Sequence, residues 1–310
     1  MKKIINYLFD FLKSQKPIYI LLIIAMVSIS IFVEYKYHLE QNYISIHDGK
    51  IKQIPIYILF YGFPFLGAYF LYGIFYQKMD IFLSARFWIL SFLALFIYAF
   101  RCYFHLYESW AYKYPSPQFQ IYCLYLIKQI GQGVLLFFPT FLLWFIMERK
   151  NQPPFGFKVK GVELKPYFFI LALMIPIIAM AATQDSFTQF YPLVSHIPNL
   201  QSNTFLGKIQ IALYEFFYGF DFFANEFFFR GFLILAFARI VGNAAILPMA
   251  CWYVFIHFGK PLGETISSFF GGLILGLIAY ETKSIYGGVI VHIGIAFLMD
   301  IFGTIAKFLK

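Results

Sequence analysis

Long apolar stretches separated by short polar ones run through the whole chain, and about 20 mostly apolar residues suffice for one membrane crossing. The first such stretch is Pro17 to Val33, followed by a polar segment of both signs, Glu34 to Gln53. Pro55 to Tyr76, Phe87 to Phe100, Gln120 to Met147 and Pro166 to Thr183 follow, the last with a kink expected at Pro176. Arg101 to Gln118 reads as an interfacial loop, and Asp185 to Asn203 as a connector without Lys or Arg. Thr204 to Arg239 is too long for one straight crossing, since 36 residues at 1.5 Å each give about 54 Å. It divides into an interfacial or steeply tilted part, Phe205 to Tyr218, and a crossing, Gly219 to Ala238. Ala244 to Phe258, Thr265 to Tyr280 and Ser284 to Phe302 complete the set. The pattern predicts an all-α polytopic membrane protein with eight to nine transmembrane helices.

Composition agrees. Of 310 residues, 61% are hydrophobic and 13% charged, against about 25% charged in soluble domains. Mean hydropathy is +0.72. The net charge of +9 marks loop orientation and contact with anionic lipid, not nucleic-acid binding. With the N-terminus inside, the inside segments hold Lys2, Lys3, Lys13, Lys16, Lys78, Arg86, Arg149, Lys150, Lys158, Lys160, Lys165, Arg239 and Lys283. A multi-pass protein with a cytoplasmic N-terminus is expected, in a bacterial plasma membrane. The basic loop Glu148 to Lys165 is the clearest boundary. It separates accessory helices, residues 1–165, from a C-terminal core, 166–310. Met1 to Lys16 lacks a cleavage pattern and leads into a retained first span. Cys102, Cys123 and Cys251 have no metal or redox spacing and read as small apolar side chains.

Chemistry concentrates in the C-terminal third. Asn225-Glu226-Phe227-Phe228-Phe229-Arg230-Gly231 sets an acid and a base inside an apolar run, where a charge costs about 2.5 to 3.5 kcal/mol. Glu226 and Arg230 are four apart and share a helix face. His257 and His292 lie at or inside expected spans, whereas His38, His47, His105 and His196 fall in loops. A carboxylate with two imidazoles permits general-base activation of water, metal binding, or donation to a developing oxyanion. No HExxH occurs.

These residues resemble the three motifs of the CAAX prenyl protease and bacteriocin-processing (CPBP, Abi) family of intramembrane metalloproteases. The motifs are Glu-Glu-x-x-x-Arg, Phe-x-x-x-His, and His-x-x-x-Asn. Here they read Asn225-Glu226-x-x-x-Arg230, Tyr253-x-x-x-His257 and His292-x-x-x-Ala296, with Gly271-Gly272-x-x-x-Gly276 between the histidines. The resemblance covers about Phe205 to Phe302. It implies an intramembrane metalloendopeptidase acting on a membrane-proximal or lipidated peptide in the lipid bilayer. Asn225, Glu226, Arg230, His257 and His292 would be its catalytic set, and His257 and His292 would hold a divalent metal, zinc. Tyr253 for Phe is a mild departure, and two polar positions of the family are absent. Asn225 stands where the family places its water-activating Glu, and Ala296 where it places Asn. Asp221, one turn before Asn225, and Asp300, two turns after His292, are the carboxylates able to compensate. The alternative is a catalytically inactive member serving as a membrane scaffold or bacteriocin self-immunity factor. A transporter ranks last, for want of paired inverted halves.

Overall fold

The computed structural model describes every residue except 1, 48, 151, 152, 160–162, 199, 201, 202 and 310. Lys160 of the basic loop and residues 199, 201 and 202 of the connector therefore lie outside the described residues. The described chain is helical, without strands. In order come α1 (Lys2–Ser14), α2 (Pro17–Tyr37), α3 (Gln53–Tyr76), α4 (Ala85–Tyr103), α5 (Leu106–Lys113) and α6 (Gln120–Leu143). Then follow α7 (Lys165–Ala181), α8 (Asp185–Phe190), α9 (Phe205–Glu226), α10 (Ala238–Val241), α11 (Ile246–Phe255), α12 (Leu262–Thr282) and α13 (Tyr286–Leu309).

Local signals place several boundaries. Pro17 opens α2, where its fixed φ suits the first helical position. His38 and Gln77 close α2 and α3 in the left-handed region, at φ 51 and φ 55. The segment expected to be a loop from Arg101 is instead mostly helical, as the end of α4 and all of α5. Helix α7 continues through Pro176.

Seven helical stretches among the described residues are long and apolar enough to cross a membrane. The difference from eight or nine has two causes. Phe205–Phe255 is one stretch of 51 residues, where the sequence pattern was cut into separate spans, and Lys165–Ala181 is apolar but shorter than the rest. The break expected at Gly219 is absent, because α9 runs unbroken to Glu226. Helical geometry changes instead at Phe227, where a π-helix begins and extends to Ala236. Such widened turns are rare and concentrate at functional sites. The chain is a multi-pass integral membrane protein.

It divides into two compact units. The first comprises residues 1–103, 139–162 and 227–288, the second 104–138, 163–226 and 289–310. The core of the first unit is aromatic. Trp252 is fully buried, with ring centroids of Tyr61, Phe65, Tyr98, Phe228 and Phe229 between 5.2 and 5.8 Å away. Helix α12 lies close on α11 and the π-helix because Gly276 has no side chain. A Cβ there would fall 2.6 Å from Met249 and 2.9 Å from Ile234. In the second unit, Ile178, Ala182, Phe187 and Tyr191 form a buried cluster with Ile295, Leu298, Met299 and Phe302 of α13.

Candidate active site

Two helices of the second unit build the acid–base pair. Glu226 ends α9, and its side chain is fully buried. His292 lies in α13, and its side chain is 13% exposed. Nδ1 of His292 is 2.8 Å from Oε1 of Glu226. Sixty-six residues of sequence separate the partners, so only tertiary packing can join them. Phe297 and Ile293 of α13 reach Gly219 of α9, within 3.5 and 3.9 Å of where a Cβ would stand. That close approach brings the two helices together one to two turns from the pair. The ring of Phe222, one turn before Glu226, meets the imidazole edge-on at 4.4 Å. An ionised carboxylate only accepts hydrogen bonds, so Nδ1–H donates to it and Nε2 becomes the basic nitrogen.

Asn225 is buried beside this pair in sequence. Its Nδ2 donates to the backbone oxygen of Asp221 at 2.8 Å, one turn back. Its Oδ1 is buried and meets no donor among the described residues. Unmet acceptors of this kind are costly and mark places where water or a ligand is received. Asp300, expected as a compensating carboxylate, accepts from the backbone N–H of Leu193 at 2.8 Å, tying α13 to the connector after α8. Ala296 is buried.

The first unit holds the other two motif positions. Arg230 is fully buried in the π-helix, with its guanidinium carbon 4.0 Å from the ring centroid of Tyr253. A desolvated cation over an aromatic face contributes about 2 kcal/mol. The motif's aromatic position therefore contacts the motif's arginine, whatever else Arg230 binds. His257 lies in the turn after α11 and is nearly buried. Its Nδ1 is 2.8 Å from the backbone oxygen of Tyr253. A carbonyl only accepts, so this nitrogen carries the hydrogen and Nε2 again is the basic one. The turn is itself fixed: Thr265 Oγ1 donates to the His257 carbonyl at 2.6 Å, and Tyr35 binds both Thr265 and the Lys260 carbonyl.

Of the five site residues expected, Asn225, Glu226 and His292 lie in the second unit, and Arg230 and His257 in the first. The sequence paired Glu226 with Arg230, offered Glu226 or Asp221 as the base, and assigned His257 and His292 to a metal or to the oxyanion. The structure adds a direct Glu226–His292 pair. It also adds Phe222 against His292, and Thr265 with Tyr35 behind His257. Phe222 carried one signal, its position four residues before Glu226 on the same face. Thr265 and Tyr35 carried none, being ordinary polar groups near helix ends.

Residues 207–298 match the family model of the type II CAAX prenyl endopeptidases, Rce1-like. The matched segment is Rce1-like. It contains all three motifs, from Asn225 to Ala296, and bears out the resemblance read from them. Searches of curated proteins and of solved structures gave no match. The family is one of endopeptidases, and the match covers less than a third of the chain.

The donor set also bears on a metal. Glu226 and His292 supply one carboxylate and one imidazole, two donors that a divalent cation accepts. Among the described residues, no group of three or more His, Cys, Asp or Glu is arranged to hold such an ion.

Proposed function

We propose that the protein is an intramembrane endopeptidase in which His292, oriented by Glu226, activates the attacking water. The observation that carries this reading is the 2.8 Å contact between Nδ1 of His292 and the fully buried Glu226, inside the Rce1-like segment. The carboxylate holds the imidazole in one tautomer and stabilises the imidazolium formed when Nε2 takes the water proton. This is the division of labour between acid and imidazole in hydrolytic triads. Nε2 then returns the proton to the leaving amine. Asn225 Oδ1 accepts a hydrogen bond from the water or from the substrate amide N–H. His257 and Arg230 belong to the same reaction by resemblance: His257, as an imidazolium with Nε2–H added to the Nδ1–H held by Tyr253, donates to the developing oxyanion, and Arg230 is a fixed cation behind the aromatic Tyr253.

Zinc on His257 and His292 follows from the resemblance alone. The described residues do not gather a full metal-holding group, so each step above rests on protein side chains. Metal analysis of the purified protein tests that assignment separately. The substrate is a membrane-proximal peptide, such as a bacteriocin leader or a lipidated tail, in a bacterial plasma membrane with the N-terminus in the cytoplasm.

One observation favours a second reading. Asn225 occupies the family's position for the water-activating Glu, and its amide is turned back onto its own helix. An inactive scaffold or self-immunity factor accounts for that substitution. Incubating wild type, Asn225→Glu, His257→Ala and His292→Ala with a peptide library in detergent separates the two. Cleavage by wild type, reduced about 10²- to 10⁴-fold in His292→Ala, supports the protease. Silence of wild type with activity gained in Asn225→Glu supports the inactive member.

A further inference from the structure

A second charged cluster lies in the first unit and plays no part in the chemistry above. Glu148 ends the π-turn Trp144–Glu148, and its side chain is fully buried. Arg86, the second residue of α4, binds its Oε1 through Nη2, and Arg239 of α10 binds its Oε2 through Nη1. Each carboxylate oxygen thus has its own arginine, and the two guanidiniums are held side by side. One negative charge cannot neutralise both, so these three described side chains together carry a formal charge of +1. Nor are the guanidiniums hidden, since Arg86 and Arg239 side chains are 39% and 37% exposed. Arg86 Nε is buried and meets no acceptor among the described residues.

The level of the cluster along the chain narrows its ligand. Arg86 stands at the start of one membrane-spanning stretch, Ala85–Lys113, and Glu148 at the end of another, Pro117–Glu148. Span ends lie at the headgroup level. Trp88, 46% exposed and two residues past Arg86, suits that level as well. Arg149 follows directly, its guanidinium 4.4 Å from the Phe145 ring centroid. Paired arginine forks at this depth match the oxygens of a phosphodiester, which they grip in a bidentate manner.

We propose that Arg86 and Arg239, splayed on Glu148, form a binding site for the phosphate of an anionic phospholipid. Glu148 is a positioning residue here. It removes no more than half of the positive charge and fixes both forks facing the headgroup layer. The same oxygens are found on free phosphate, so the test has to separate the two sources.

The test uses the full chain, purified in detergent and stripped of lipid, with its melting temperature followed as phosphatidylglycerol, phosphatidylcholine or inorganic phosphate is added. Phosphatidylglycerol raises the melting temperature, while phosphatidylcholine and inorganic phosphate at equal concentration leave it unchanged. Arg86→Gln and Arg239→Gln each raise the half-maximal phosphatidylglycerol concentration about fivefold. Lys113→Gln, an exposed charge at the end of α5, leaves it unchanged. Arg239→Lys keeps the charge but not the fork, gives an intermediate value, and serves if a Gln variant fails to fold. Wild-type affinity in both Gln variants, or equal stabilisation by phosphatidylcholine, overturns the site. Equal stabilisation by inorganic phosphate overturns the lipid as its ligand.

Discussion

Gly231 follows the motif arginine, and its replacement by alanine offers a stringent packing test. A Cβ at Gly231 would stand 2.7 Å from the backbone oxygen of Phe155 and 3.0 Å from its Cβ. Comfortable heavy-atom contacts begin near ~3.5 Å, so something must move by about half an ångström or more. Phe155 has little room to yield. Its ring is fully buried, with the rings of Phe227 and Phe232 at 5.9 and 5.4 Å. The next residue, Gly156, sits at φ +78 and accepts a hydrogen bond from Ile285 N–H at 3.0 Å. Overpacking of this kind costs about 1–3 kcal/mol. Removing a helical glycine returns up to ~1 kcal/mol. The net expectation for Gly231→Ala is a loss of about 1–2 kcal/mol, seen as a fall of a few degrees in melting temperature in detergent. Gly271→Ala is the internal control, since a Cβ there meets nothing within 4 Å, and it should gain about 0.5–1 kcal/mol. If Gly231→Ala melts at or above wild type while Gly271→Ala behaves as expected, the close crossing of residue 155 over the π-helix is not what constrains this position.

Further expectations can be tested on the same preparation. His292→Ala removes a hydrogen-bond donor from the buried Glu226 carboxylate and should cost about 1.5–3 kcal/mol. The double variant Glu226→Ala/His292→Ala should recover part of that loss, and strict additivity in the cycle would mean the pair is not coupled. In a cleavage assay, Glu226→Gln keeps the hydrogen-bond acceptor but not the charge, and should lower turnover about 10- to 100-fold, a loss absent if Glu226 does not support His292. Gln77→Gly removes the Cβ penalty of the left-handed φ 55 at the end of α3 and should stabilise by about 1 kcal/mol, measured by the shift of the melting curve.

The membrane class was legible because hydropathy is a property of composition over 20 residues, and most helix positions followed from it. What failed were internal boundaries. Residues 101–118 contain Tyr, Trp and Pro, which read as a loop, yet Leu106–Lys113 forms a helix. Gly219 looked like a division, but a glycine only permits a break. Here it serves the approach of Phe297 instead. The π-helix after Glu226 has no composition signature at all. At the site, Glu226 and His292 could be named because charged and polar groups are conspicuous in an apolar run. Their direct contact was not legible, since i, i+4 spacing pointed Glu226 toward Arg230 and nothing local encodes a partner 66 residues away. The Glu148 cluster was invisible for the same reason, its three members being drawn from the ends of separate helical segments.

Every residue of the π-helix, from Phe227 to Ala236, is buried. A helix in a membrane protein ordinarily turns one side to lipid, as the exposed Phe168, Phe169, Leu173, Ile175 and Ile177 of α7 do. Saturation mutagenesis would therefore trace two different curves. Across α7, tolerance should rise and fall with each helical turn. Across residues 227–236 it should stay uniformly low, a flat floor of ten positions without any period. A drifting population that accumulates neutral changes would leave this decapeptide as its slowest-changing segment.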